Sequence, residues 1–212
     1  GRQPPAHLRE RVATYFDPLP FWYPPLEHAA VDTQAYPLAA VTQRPMAMYH
    51  SWDSQNAWLR QIHGHNHLHV HPATALAAGV ADGAWAWVES PWGRVRCRVR
   101  HTEAVEPGTV WTWNAIGKAS GAWQLAPGAD ESRRGFLLNH LISDELPFGG
   151  ARISNSDPVT GQAGWYDVRV RLRPADPGEA EETFPQVAAV PAPPGVRGSL
   201  RRLASKVTGS GR

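Results

Sequence analysis

The placement of proline limits this chain more than any other feature. Seven of the twenty prolines fall in residues 1–38 and six in residues 174–212, while the other seven are scattered singly through the 135 residues between. Proline fixes φ and removes a backbone donor, so neither end can supply long helices or central strands. The organisation expected is a Pro-rich lead-in over 1–35, an ordered domain over 36–173 and a Pro/Ala/Gly-rich, disordered tail over 174–212. The stretch Asp17-Pro18-Leu19-Pro20-Phe21-Trp22-Tyr23-Pro24-Pro25 reads as a linker whose aromatics need a surface to cover, crossing something larger, or else as a proline-recognition ligand. Residues 199–207 can form a short helix, with Leu200, Leu203 and Val207 on one side, that is too short to stand alone in water. The chain begins at Gly1 with no signal-peptide pattern, which reads as a processed or truncated polypeptide.

The middle alternates short apolar strands with Gly/Pro turns. Strands are expected over 36–42, 84–89, 93–100, 110–113 and 165–173, the second and third joined by the hairpin turn Ser90-Pro91-Trp92-Gly93. Short helices are expected over 54–62, with Ser54 as its cap, and over 72–78, with Pro72 at its start and Gly79 past its end. Residues 135–141 read as a short helix or irregular. The sum is a mainly β domain with short helices, most like a barrel.

Composition closes several routes. The single cysteine, Cys97, excludes a disulfide framework, a multi-cysteine zinc site and a cysteine-ligated iron–sulfur cluster within these residues. No apolar run approaches the length of a membrane-spanning helix. The net charge of +2 gives no reason to expect nucleic acid as a partner. No glycine-rich phosphate loop and no nucleophile–base set is present, and Ser51 beside His50 is not a dyad because sequence neighbours rarely face each other.

Four features remain. Thr42-Gln43-Arg44, His50-Ser51 and Asn56 place hydroxyl, amide, guanidinium and imidazole groups after a strand end, a mixture suited to a heterocycle with a phosphate tail, or simply to capping and backbone satisfaction. Histidines alternate at 63, 65, 67, 69 and 71, a spacing that can bind zinc, nickel or copper on a strict strand, although Gly64 and Asn66 argue against one. That run supports an alternative reading as a His-rich metal-binding β-domain without redox catalysis. Arginines alternate with apolar residues over 94–100 and 169–173, giving a basic face that is solvated or set against a partner. Finally Asn139, and the loop from Asn155 to Gln162 with its Asn-Ser-Asp-Pro and Thr-Gly-Gln runs, supply amides that form turns or meet a ligand.

The order of these features resembles a known family. Pro37-Leu38, Thr42-x-Arg44, Tyr49-His50-Ser51, Asn56 and Leu59 come first, followed by Pro72-x-Thr74-Ala75, Gly79-Val80-x-Asp82-Gly83 and Val88-x-Ser90-x-x-Gly93-x-Val95. Pro107-Gly108-x-Val110, Asn139-x-Leu141 and Asp157-Pro158-x-x-Gly161-Gln162 complete the series. It looks like the C-terminal molybdopterin-dinucleotide-binding domain of the DMSO-reductase family of molybdenum oxidoreductases. The stretch 49–56 looks most like sulfur-compound oxidoreductases of the sulfite:quinone dehydrogenase kind, with polysulfide, tetrathionate and formate enzymes close by.

That resemblance implies a double-psi β-barrel holding one pterin guanine dinucleotide of a Mo- or W-bis(molybdopterin guanine dinucleotide) cofactor. The positions that match are Thr42, Gln43, Arg44, His50, Ser51, Asn56, Asn139, Asn155 and Gln162, with Arg44, His50 and Ser51 towards pterin and phosphate, and Asn139 and Gln162 towards the bicyclic edge. It implies no catalytic side chain and no protein metal ligand here, since the cofactor carries the redox chemistry. The 4Fe-4S cluster and metal ligand belong to an upstream part, without which the chain is expected to be inactive. The partners implied are the rest of its own catalytic subunit, a membrane anchor and an iron–sulfur subunit. The location implied is cytoplasmic, at the membrane through those partners.

Overall fold

The structure is a computed structural model. It describes residues 3–187 apart from 21, 23, 54, 55, 115, 119–125, 127, 158, 159, 166 and 167. The expected helix over 199–207 and the end of the tail lie outside the described residues, as does Ser54.

Six strands close into a barrel: β1 Leu38–Gln43, β2 Leu68–Val70, β3 Trp85–Glu89, β4 Gly93–His101, β5 Thr109–Trp113 and, after a short hairpin β6 Glu145–Phe148 and β7 Ala151–Ser154, β8 Val168–Pro174. Around the barrel the order is β2-β5-β1-β8-β3-β4, and β4 pairs back to β2. The pairs β1–β5 and β2–β4 are parallel, and the rest of the ring is antiparallel. Parallel neighbours cannot be joined by a tight turn. The long crossings between them therefore carry the short helices α3 Ala57–Ile62 and α4 Pro72–Ala77, and leave loops gathered at the barrel ends.

The alternation read from the sequence has a direct counterpart inside. Leu68, Val70, Ala86, Val88, Val95, Cys97, Val99, Val110, Val168 and Val170 form the buried cluster, with Phe136, Leu138 and Leu141 plugging it. Burial pushes the Cys97 thiol far above its ordinary range, so it is inert packing. The hairpin after β3 forms as expected, Ser90 N donating to Gly93 O at 2.8 Å. Helix α4 starts at Pro72 and is followed by Gly79 at φ +69°, a left-handed turn that favours glycine. Helix α3 begins three residues later than expected. Its cap is Asn56, whose side chain accepts from Trp58 N at 3.0 Å and Leu59 N at 3.4 Å, in place of Ser54. Residues 138–141 form a 3-10 turn, and the β6–β7 hairpin had no clear alternation to announce it.

The chain on both sides of the barrel is tied to it. The lead-in holds α1 Arg9–Tyr15 and α2 Leu26–Ala30. Glu27 of α2 is 2% exposed and accepts from Trp92 Nε1 at 3.1 Å and from Arg169 N at 2.8 Å. Residues 176–187 fold back over β3 and β4 and end in β9 Gln186–Val187, which pairs with β4. The Glu179 carboxylate accepts from Trp87 Nε1 at 3.1 Å, and Thr183 N donates to Ser132 O at 2.7 Å.

This strap meets the basic face. Arg94 and Arg96 lie over the Trp87 ring at 4.4 and 5.1 Å, and Glu89 receives Arg171 at 2.7 Å and Arg173 at 3.5 Å. Glu89 is itself buried, so its charge is offset by several arginines at once. The arginines of this face are organised by a carboxylate and an indole supplied from β3, the strand between β4 and β8, which alternation within one strand could not reveal.

Strand structure in the histidine run is confined to β2. His69 stacks on Trp111 at 4.0 Å, His63 meets Trp113 at 5.4 Å, and His65 and His67 stack at 6.1 Å. Among the described residues no group of three or more His, Cys, Asp or Glu is placed to hold a metal ion. Burial, with the nearby His67 and Arg100 charges, pushes His69 down to about 4. Burial also lowers His67 and His140. An imidazole held neutral in the fold but free to protonate when unfolded adds stability that is complete above its ordinary value near 6.5 and is lost as the pH falls towards 4. His69→Phe, which keeps the stack on Trp111, is expected to shrink the drop in urea-unfolding free energy between pH 7.5 and 4.5 by about 1 kcal/mol, after discounting for partial solvent screening. An unchanged drop would show that His69 does not titrate in the fold.

Candidate functional site

One end of the barrel carries a cavity of about 870 Å³. That size suits a bound organic ligand, for which roughly 300–1,000 Å³ is usual. One wall descends from the parallel pair β1–β5. Thr42 is in register with Thr112 and Gln43 with Trp113, and Asn114 N then donates to Gln43 O at 2.9 Å, carrying the pairing one residue past the strands. The chain leaving β1 turns through the 3-10 segment His50–Asp53, with Tyr49 N bonded to Asp53 Oδ2 at 2.8 Å. His50 sits at φ +49°, a left-handed backbone that a non-glycine residue seldom adopts, and it lines the cavity beside Asn114.

The other wall comes from about 100 residues later in the chain. The 3-10 turn Leu138–Leu141 is pinned by Ser90 Oγ, which donates to Leu141 O at 2.7 Å. Asn155 is buried; its Nδ2 donates to Ser143 O at 2.9 Å and its backbone N to Asp144 O at 2.8 Å. Gly164 packs so tightly on that amide that a Cβ would come within 2.7 Å of Asn155 Oδ1. The loop between them is an Asx turn in which Asp157 Oδ1 accepts from Thr160 N at 2.6 Å and from Thr160 Oγ1 at 2.8 Å, with Gly161 left-handed at φ +75°.

The two stretches singled out in the sequence therefore meet: His50 faces the same cavity as Asn139 and Asn155. Gly161 and Ala163 line it on either side of Gln162, whose own side chain is exposed. Thr42, the penultimate residue of β1, has its Oγ1 buried and without a partner among the described residues. Gln43 and Arg44 are exposed and are not among the lining residues, and nothing is described of the Ser51 side chain. Asn56 is not among the lining residues, and its amide oxygen is occupied as the α3 cap, because a helix start leaves backbone donors that the nearest Asn satisfies. Ser156 of the Asn155–Gln162 loop lines the cavity, and so do residues not singled out from the sequence: Asn114, Ser143, Asp144, Ser154 and the half-exposed Trp165. Asn114 ends a run of strand residues, which was the only local signal available.

A closed six-stranded barrel with a polar, amide-rich cavity built by loops at one end is a cofactor-cradling domain. The pattern that defines the molydopterin (molybdopterin) dinucleotide binding domain matches residues 38–147, half of the chain, and the chain belongs to that family. It is 68% identical over 197 residues to a sulfite dehydrogenase subunit from Allochromatium vinosum, covering 92% of this chain and 20% of that protein. It is 28% identical over 149 residues to dopamine dehydroxylase of Eggerthella lenta, covering 66% of this chain and 13% of that protein. The solved structure of acetylene hydratase from Pelobacter acetylenicus shares the fold, with a TM-score of 0.56 and 23% identity over 77% of this chain and 22% of that one. The chain thus spans about a fifth of the length of the first of these relatives.

The residues present fit the group that defines the family. The buried Asn114 Oδ1 has no hydrogen-bond partner among the described residues, although it lines the cavity. Amides and hydroxyls dominate the walls, and Trp165 offers an apolar face to a flat ring. This is the donor and acceptor set that a heterocycle bearing N–H and carbonyl groups requires.

Proposed function

We propose that the chain is the C-terminal, cofactor-holding part of the catalytic subunit of a molybdenum oxidoreductase acting on sulfite or a similar small sulfur compound. The observation that carries the reading is the shared cavity of His50, Asn139 and Asn155, in a chain 68% identical to a sulfite dehydrogenase subunit over 92% of its length. When bound, a molybdenum or tungsten bis(molybdopterin guanine dinucleotide) supplies the two-electron chemistry at the metal. The chain binds and orients one of the two pterin dinucleotides. His50 and Asn139, with the Asn155 wall behind them, hold its polar edges, and Thr42 and the Gln162 loop border it. Arg44, exposed beyond the cavity, is placed with the phosphates.

In this reading the chain alone turns over no substrate. The 4Fe-4S cluster lies in the remaining part of the catalytic subunit. A membrane anchor and an iron–sulfur subunit carry the electrons onwards from a cytoplasmic site. Support for a large covering partner comes from the segment after β1, where Met46 is 99% exposed and Trp58 79%, with Tyr49, Trp52 and Ile62 also exposed. Apolar surface concentrated in one segment is a mark of an interface, here with the rest of the same polypeptide.

The test is cofactor retention. In the complete catalytic subunit, the double replacement His50→Ala/Asn139→Ala is expected to weaken retention by about 30-fold to 150-fold, two hydrogen bonds of about 1–1.5 kcal/mol each. Molybdenum by mass spectrometry and guanosine monophosphate released by acid are the readouts. Full content of both in the folded variant would discard the proposal. Arg44→Ala is to be measured beside it, and undiminished content there removes Arg44 from the set.

A further inference from the structure

We propose that Asn114 selects an amino-substituted heterocycle, its side-chain oxygen accepting a hydrogen bond from the 2-amino group of the 2-amino-4-oxo-pyrimidine edge common to guanine and pterin. The inference rests on the cofactor reading above and gives one residue of that site a specific role.

The five asparagines of the chain differ in what their amides do, and Asn139 lines the cavity with an exposed side chain. Asn66 and Asn155 bond backbone carbonyls, and Asn56 caps α3. Asn114 Oδ1 is the exception: it is buried, it has no partner among the described residues, and its residue lines the cavity. Its backbone is not free to withdraw, because Asn114 N is bonded to Gln43 O at 2.9 Å at the end of the β1–β5 pairing. Thr42 Oγ1, on the partner strand and in register with Thr112, is a second buried oxygen with no partner among the described residues. The C-terminal end of the parallel pair thus holds an amide oxygen that can only accept and a hydroxyl that can donate or accept, both without a partner among the described residues.

A buried acceptor left unpaired is costly, and a ligand that brings an N–H to it removes that cost. A ligand presenting C–H or a carbonyl oxygen at the same place does not. Selectivity then follows from the protein's own unmet acceptor, and the size of the heterocycle plays no part.

The test compares ligand pairs that differ at that single position, by calorimetry on the complete catalytic subunit freed of its cofactor. Guanosine and inosine monophosphates differ only in the 2-amino group, as do pterin and 2-deaminopterin. The wild-type subunit is expected to prefer the amino member of at least one pair by about tenfold or more. Whichever pair shows the preference identifies the half of the cofactor that Asn114 meets. Asn114→Leu is expected to abolish the preference and Asn114→Asp, which keeps an oxygen acceptor, to retain it. If Asn114→Leu does not fold, Asn114→Ala takes its place. Binding without preference in the wild-type subunit, or a preference unchanged in the folded Leu or Ala variant, overturns the assignment and leaves the cofactor reading standing. Failure of all four ligands to bind the wild-type subunit overturns both.

Discussion

Replacing Asn66 with alanine is expected to destabilise the domain by about 4 kcal/mol, five groups losing a partner at roughly 1–3 kcal/mol each with substantial relief from water. Asn66 is 2% exposed and sits in the middle of the histidine run. Its Nδ2 reaches Trp113 O at 2.8 Å, Ile116 O at 3.1 Å and Phe136 O at 3.3 Å, while its Oδ1 accepts from Thr112 Oγ1 at 2.9 Å and Trp113 N at 3.2 Å. Its backbone N donates to Arg134 O at 2.6 Å. One amide therefore joins the end of β5, the segment after it and the segment leading to the Leu138–Leu141 turn. Those are the pieces that carry Asn114, Leu137 and Asn139 into the cavity. Against a total stability of about 5–15 kcal/mol for a domain, the change is large. The melting temperature should fall by roughly 8–16 °C. Asn66→Asp separates polarity from shape: it keeps the volume and sets an acidic oxygen against the carbonyls, so it should be at least as damaging at pH 7.5. Calorimetric melting of both variants checks this, and a loss under about 1 kcal/mol in both would show that the network contributes little.

The second large effect is expected at Gly135. A Cβ there would lie 2.5 Å from Ile116 O and 3.0 Å from Asn66 Cβ, and a Cβ on Gly117 opposite would lie 2.4 Å from Phe136 N. Two backbones cross here at a distance only glycine permits. Gly135→Ala forces one backbone off the other, an overpacking cost of about 3 kcal/mol because the obstacle is main chain that cannot rotate away. The cavity wall moves with it, so cofactor content of the complete subunit should fall alongside stability. Gly161→Ala is the control. Gly161 has φ +75° but open space around its missing side chain, so only the backbone conformation is strained, at about 1 kcal/mol. Equal losses at the two positions in urea unfolding would contradict the close crossing.

Much of the barrel was legible because its signals are local. Period-two alternation over 84–89, 93–100 and 165–173, the Ser90–Gly93 turn and the Pro72 and Gly79 punctuation each depend on neighbours a few residues away, and each has its counterpart in β3, β4, β8 and α4. The family resemblance was legible for the same reason, as an order of short motifs. What stayed hidden was set by distant partners. Glu27 looked like part of a linker, yet Trp92 Nε1 and Arg169 N, 65 and 142 residues away, donate to it. The arginine faces could be read only as solvated or set against a partner, because Glu89, Trp87 and the 176–187 strap come from other elements.

The sequence alone determined the kind of domain, where its strands and turns fall, and the two stretches from which a cofactor site can be drawn. Tertiary structure decided which polar side chains are free for a ligand, Asn114 outside those stretches among them. Asn56 and Asn114 are the same residue type near the same barrel end, and a string of letters treats them alike. One lies at a helix start, whose backbone donors take its oxygen, and the other at the mouth of a cavity, where its oxygen is left open. The physical reason is that side-chain period reports the face a residue occupies, whereas hydrogen-bond satisfaction depends on atoms brought together from tens of residues away.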